Sequence, residues 1–435
     1  MDPSTILYLE IGVAILLTAW ILCAKPEYGL FLYGLALGFP ELAIPLGTAI
    51  HFRPDDGLIV IFLFRSILWT PAPPGPGQRK ILRWQAFFLL ACFLSVGFGM
   101  ARGTPPAEYE TIKMIGCAAI VFALPRLVQS ERRLRFLIAG LMCAGIALII
   151  QIIQRLGAGP ANIVANFQEF KSAATFTTWN PNTIGQAAML VVFAAGLGWI
   201  VFPQSRATRS LWFSLSMGFA LTPALMFVRG TSLSIAFGFI LFLCLTHSWK
   251  SLFVFLMVCL SVVIYSYSVN PELVDSATQV DLATGEGLSH RFERWDTAIG
   301  AIQAEPIWGQ GFGQEWVYLN AMGSEGRAHD AYLSTWIELG VGGLALLLAM
   351  VYQFVSVGLS LYRRPQFQLC GALVLALLAA AIVDSVGLPT LYWEKLPTIS
   401  LSIAVALVGI CERRDLETAP QGVGALEMES LPQHS

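Results

Sequence analysis

Apolar runs long enough to cross a bilayer recur along almost the whole chain, and they leave few architectures open. Crossing about 30 Å of hydrocarbon takes roughly 17–25 apolar residues as a helix, and lipid tolerates no unpaired backbone polar group, so such runs must be helical. They lie near 5–23, 28–49, 57–70, 84–100, 111–126, 134–154, 183–202, 210–228, 231–248, 251–269, 331–361, 367–388 and 396–411. The count is about thirteen, or twelve because the third and fifth runs are short for a crossing. The second run contains Pro40, Glu41 and Pro45, so its far end is expected to break or to lie at the interface. One stretch departs from the pattern: between Asn270 and Asp330 the apolar runs stop for about 60 residues, far longer than an ordinary connection. The expected fold class is all-α, a polytopic transmembrane helix bundle with one long loop containing short helices.

Composition agrees. Of 435 residues 56% are hydrophobic and 12% charged, with a mean hydropathy of +0.67. Soluble domains carry about 25% charged and roughly 45–50% apolar residues, and a soluble core cannot absorb the excess. The net charge of −2 says little about partners, and no nucleic-acid partner is expected. None of Cys23, Cys92, Cys117, Cys143, Cys244, Cys259, Cys370 and Cys411 lies in the polar insert or forms a C-x-x-C pair, so they read as buried apolar thiols. The first apolar stretch follows an acidic start (Asp2, Glu10) without a basic flank, and is expected to be a span, not a cleaved leader.

Charge placement sets the sidedness. Alternate connections carry Lys25; Arg79, Lys80 and Arg83; Arg126, Arg132, Arg133 and Arg135; Arg206 and Arg209; Lys250; Arg363 and Arg364; and Arg413 and Arg414. The positive-inside rule makes these cytoplasmic, with the N-terminus outside and the C-terminus inside. The outward set then collects Arg53, Arg102, Arg155, Arg229, Arg291, Arg294, Arg327 and His329. The polar tail after Cys411 is expected to be cytoplasmic and disordered.

Three segments hold residues suited to chemistry. Arg229 follows the apolar run 221–228 and precedes Gly230, Thr231 and Ser232. A charge this near hydrocarbon costs about 2–3 kcal/mol at mid-bilayer and less at the edge. It either snorkels to headgroups or binds an anion, since a guanidinium is a fixed fork matching phosphate oxygens in pairs. In the insert, Arg291, Trp295 and Ile299 repeat at helical spacing, which predicts a short amphipathic helix ending at Pro306; Gly309, Gly311 and Gly313 predict a tight turn. Arg291 there either pairs with Glu293 or Asp296, a surface contact of about 0–1 kcal/mol, or serves an anion. Finally, His329-Asp330-Ala331-Tyr332-Leu333 opens a span holding Glu338 and Gly340. Near a helix N-terminus the dipole disfavours imidazolium, and a neutral imidazole can take a proton from a hydroxyl; the plainer alternative is a hydrogen-bonding or capping histidine. Asp330 is a candidate cap for the same helix.

Weaker candidates are Asp55 and Asp56, which could bind a divalent metal but suit a helix start better, and Asp384, an acid within an apolar run. Asn180-Pro181-Asn182 reads as a helix start. The glycines at 309–313 lack the strand–turn–helix context of a nucleotide-binding loop, and no zinc or Ser-His-Asp spacing is present.

Taken in order, these segments resemble the O-antigen ligase and polysaccharide polymerase superfamily of bacterial membrane proteins. The resemblance rests on Arg229-Gly230 at the outer end of a span, then Arg291-x-x-x-Trp295, Pro306-x-x-Gly309-x-Gly311, and His329-Asp330 followed by Tyr332-Leu333 and Glu338-x-Gly340. It covers 229–343, with Asn180-Pro181-Asn182 fitting upstream, and departs where Asp330 replaces the family's usual Asn. It implies transfer of a glycan from an undecaprenyl diphosphate carrier to an acceptor hydroxyl at the periplasmic face, with inversion and with neither cofactor nor metal. The acceptor would be a glycan, a lipid A-core sugar or a protein hydroxyl. In that reading Arg229 and Arg291 hold the diphosphate, His329 activates the acceptor, and Arg294, Arg327, Trp295, Tyr332 and Asp330 line the substrate site. The implied organisation is a bundle of about ten spans over 1–269, a periplasmic catalytic loop over 270–330, three spans over 331–412 and a cytoplasmic tail over 413–435. Repeat-unit polymerisation by the same superfamily is the alternative. A lipid-linked glycan transporter is the rival from another class, disfavoured because the charges cluster at one face and no inverted repeat is visible.

Overall fold

The computed structural model describes residues 13, 25–38, 44–45, 51–52, 54–68, 72–101, 108–156, 181–202, 205–225, 229–269, 289–324, 327–387 and 394–418. Their regular structure is helical apart from a two-residue antiparallel pairing of Ile44–Pro45 with His51–Phe52. The helices are α1 Pro26–Ala36, α2 Pro54–Leu68, α3 Pro76–Ala101, α4 Glu108–Leu127, α5 Glu131–Leu156, α6 Pro181–Val201, α7 Arg206–Leu225, α8 Arg229–Leu245, α9 Trp249–Val269, α10 Ser289–Ala304, α11 Glu315–Ala321, α12 Ala331–Tyr362, α13 Gln368–Gly387 and α14 Lys395–Thr418. The expected all-α bundle is therefore the one observed. Among the described residues six stretches are long and apolar enough to cross a membrane: Pro76–Met100, Glu131–Ile150, Thr183–Val201, Ala331–Tyr362, Pro365–Val386 and Lys395–Glu417. Shorter apolar helices cover Ser210–Ala220, Gly230–Leu245 and Trp249–Ser261.

The run at 5–23 lies outside the described residues except for Val13. In the second run α1 stops at Ala36, short of Pro40. Small residues let helices approach where lipid gives no hydrophobic drive between them. A Cβ on Gly140 in α5 would strike the Phe31 backbone of α1, and one on Gly238 in α8 would lie 2.7 Å from the Ala376 carbonyl of α13. Helix α14 is apolar on every side and accordingly central, with Ile399, Leu401 and Ile403 through Val408 all buried.

The basic connections gather at one end of this bundle. Glu412 accepts from the backbone N–H groups of Gly77 (2.6 Å) and Gln78 (3.1 Å), and Arg413 donates to the Gln129 carbonyl at 2.7 Å. Arg414 pairs with Glu131, and Arg364 with Asp415 at 2.6 Å. These contacts correct the expected start of the tail: α14 continues to Thr418 because residues 412–415 dock on neighbouring helix ends. At the opposite end Lys113 meets Glu394 at 2.8 Å, Lys395 meets Asp56, and Arg327 meets Glu110. Asp55 and Asp56 fall in the first turn of α2, not before it.

Candidate active site

The polar insert carries its own small core. From α10, Ala298, Ala301 and Ile302 are buried, with Trp295 packed beside them against Leu319 of α11, Ala328, and Ile337 of α12. The expected amphipathic helix is present; Trp295 packs inward, while Ile299 is 43% exposed and Phe292 55% exposed. Ala298 and Ala301 let that face approach α11 and α12 closely, with Trp295 and Ile302 packed beside them, while Phe292 and Ile299 lie on the outer surface.

The turn after α10 docks into a break in α12. Gly340 has φ 68° and ψ −169°, which interrupts the helical ladder and frees backbone groups on both sides. The loop takes them up. Gln310 N–H donates to the Ile337 carbonyl (2.7 Å), Gly311 N–H to the Glu338 carbonyl (3.0 Å), and Val341 N–H to the Pro306 carbonyl (3.0 Å). Trp336 adds its indole N–H to the Pro306 carbonyl at 3.0 Å. Ser95 of α3 ties the joint to the bundle, its Oγ donating to the Glu338 carbonyl (3.1 Å) and accepting from Phe312 N–H (3.0 Å). The expected glycine turn is present, with Gly309, Gly311 and Gly313 at φ +70°, +105° and +79°. The close approach also needs glycine, since a Cβ on Gly340 would run into the Ile307 carbonyl.

Between α11 and α12 the chain presents His329. Its φ of 54° lies in the left-handed region, uncommon for a residue with a Cβ and worth roughly 1–3 kcal/mol of strain. Its flanks are held tightly. Ala328 donates its N–H to Glu315 Oε1 at 2.8 Å and accepts the Trp295 indole N–H on its carbonyl at 3.0 Å. Asp330 is the N-cap of α12, its Oδ1 accepting from Tyr332 and Leu333 N–H at 2.8 Å each. Burial raises the Asp330 carboxyl above its ordinary range, and those two donors pull it part of the way back.

Behind His329 sits a buried charged cluster. Glu315 is 1% exposed and also accepts from Ser334 Oγ at 2.8 Å. Glu338, equally buried, turns its Oε1 toward Glu315 N–H at 3.4 Å. Arg327 forms its ion pair with Glu110 of α4. Burial raises Glu315 above the ordinary carboxyl range, against the Ala328, Ser334 and Arg327 partners that favour its charge. Burial also disfavours the charge on Arg327, but Glu110, Glu338 and Glu315 outweigh it and hold the guanidinium above its ordinary value.

The structure therefore unites part of the expected set. Trp295, Arg327, His329, Asp330 and Tyr332 lie in one cluster, with Arg294 half-buried one residue before Trp295. Arg291 occupies the turn of α10 before Trp295, on the same side of the helix, though its side chain is outside the described residues. Arg229 is the first residue of α8, its side chain likewise not described. Two residues on, Thr231 donates to Asp384 of α13 at 3.0 Å, both fully buried, so the intramembrane acid is tied to the arginine-bearing helix end. Sequence reasoning missed Glu315, Glu110 and Ser95, whose partners lie 13 to 243 residues away and leave no local pattern.

Residues 218–348, from the second half of α7 to just past the break in α12, match the sequence model of the O-antigen ligase family. Over that segment, 131 of the 435 residues, the chain is similar to the O-antigen ligase family. The segment takes in Arg229, the polar insert and His329, and so agrees with the superfamily expected from the ordered motifs. The likeness of this segment supports a ligase- or polymerase-like membrane glycan transferase. No curated protein matches the chain.

Proposed function

We propose that the protein transfers a glycan from an undecaprenyl diphosphate carrier to an acceptor hydroxyl at the periplasmic face of the bacterial inner membrane. Its C-terminus would lie in the cytoplasm. The observation that carries this reading is His329, held in a strained conformation at the mouth of α12 inside the segment similar to the O-antigen ligase family, with an arginine-bearing helix tied to its neighbour. The acceptor oxygen attacks the anomeric carbon while the bond to the diphosphate breaks. His329 takes the hydroxyl proton, and attack from the opposite face inverts the centre. Negative charge grows on the leaving diphosphate, and Arg229 and Arg291 meet it at the lipid border, where preset cations act strongly. No metal is needed for that task. Tyr332, Arg294 and the ring of Trp295 remain for sugar contacts, while Arg327 is engaged by Glu110 and builds the site. The carrier's tail would lie along an apolar pocket, open on one side, lined by Met189 and Phe193 of α6, Ser216 of α7, Ile235 and Phe239 of α8 and Ala380 of α13. Its top is one turn below Thr231 and Asp384.

The test is complementation in a deletion strain, with wild type, Arg291→Ala and His329→Ala at matched membrane levels. Surface glycan should vanish in both variants while carrier-linked glycan accumulates. Long chains on the carrier identify a ligase and single repeat units a polymerase. Surface glycan at the wild-type level in both variants would sink the assignment.

A further inference from the structure

We infer that Glu315 is a positioning residue that fixes His329 in its working orientation through the backbone of Ala328. This rests on the transferase reading, which makes His329 the proton acceptor. Glu315 is 1% exposed and cannot meet a substrate. Its Oε1 instead holds two groups, the Ala328 N–H and the Ser334 hydroxyl, each at 2.8 Å. The first belongs to the residue before His329, the second to the first turn of the helix after it. One oxygen atom thereby locks the entering chain to α12. Trp295 fixes the other side of the same residue, holding the Ala328 carbonyl at 3.0 Å. That carbonyl lies in the peptide plane whose rotation is the φ of His329. A left-handed non-glycine conformation persists only where its surroundings over-determine it. Here the peptide plane before His329 is pinned by Trp295 of α10, the plane one residue earlier by Glu315 of α11, and the residue after His329 is pinned as the cap of α12.

Glu315 is in turn set by groups from other elements. Arg327 from the same loop, Glu110 from α4 and Glu338 from α12 surround it, with Glu338 Oε1 facing its backbone N–H. The anchor of the histidine therefore reaches beyond the segment similar to the O-antigen ligase family into α4.

The experiment uses membranes from the deletion strain, whose accumulated carrier-linked glycan and native acceptor supply both substrates, with the full-length protein added back. The initial rate of transfer is measured for Glu315→Met, Glu315→Gln, His329→Ala and Glu315→Met with His329→Ala. Methionine keeps the volume and removes the acceptor, so the rate should fall on the order of 100-fold, as for a misplaced catalytic group. Glutamine keeps the acceptor oxygen and should stay within about threefold of wild type. Because Glu315 acts through His329, adding Glu315→Met to His329→Ala should cost nothing further. A multiplicative loss in the double variant, a glutamine variant as slow as methionine, or an unaffected methionine variant each overturns the inference while leaving the transferase reading intact. Wild-type rate in His329→Ala alone overturns that reading and this inference with it. If Glu315→Met does not accumulate in membranes, Ser334→Ala, alone and with His329→Ala, takes its place, since it removes the hydroxyl through which Glu315 locks the entering chain to α12.

Discussion

Asp330 and His329 are adjacent but answer to different physics. Asp330 works over three residues, capping Tyr332 and Leu333, so its role was legible as soon as a helix was expected to start there. The cap also accounts for a position where the related pattern carries Asn: both side chains offer the same acceptor oxygen. Asp330→Asn should leave the melting temperature of the purified protein unchanged, whereas Asp330→Ala should cost about 1 kcal/mol. Equal losses in both would mean that the carboxylate matters beyond the cap. His329 is the opposite case. Its residue type and place were readable, but its positive φ depends on Glu315 and Trp295, 14 and 34 positions earlier.

Among the elements, α12 is the most informative. Its apolar run predicted a span over 331–361, and the helix observed is Ala331–Tyr362. The run did not announce the break at Gly340, because hydropathy counts side chains, and the break concerns which backbone groups find partners outside the helix. Loop 306–311 supplies those partners, so the glycines of the turn and of the span are one device split across the sequence. Gly340→Ala should therefore destabilise the loop joint, with about 1–3 kcal/mol from the backbone conformation before any clash with Ile307 is added. Limited proteolysis of the 306–330 segment should speed up while the bundle stays helical; unchanged cleavage would show that the joint tolerates a Cβ. For α10 likewise, periodicity located the helix, and its contacts with α11 and α12 decided which side is buried.

At the scale of the whole molecule, two kinds of ion pair mark the two ends of the bundle. The basic connections expected in the cytoplasm converge around residues 412–415, and the loop with His329 lies with the pairs Lys113–Glu394 and Arg327–Glu110 at the other end. Sidedness is testable by thiol labelling after replacing the exposed Cys143. A membrane-impermeant reagent should reach Ala321→Cys in cells with a permeabilised outer membrane, and Arg363→Cys only after lysis. The reverse pattern would turn the site toward the cytoplasm and defeat the proposed reaction.

By itself the sequence determined the helical class, the six spans long enough to cross a membrane among the described residues, the polar insert and the ordered motifs that point to a glycan transferase. Those are properties of hydropathy, charge and spacing, which act locally along the chain. Tertiary structure alone decided that the Gly340 break accepts the loop, that Arg327 turns to Glu110, and that Glu315 and Trp295 grip the residue before His329. Each is a contact between segments distant in the chain, selected because a buried polar group must find a partner wherever the packed helices bring one within reach.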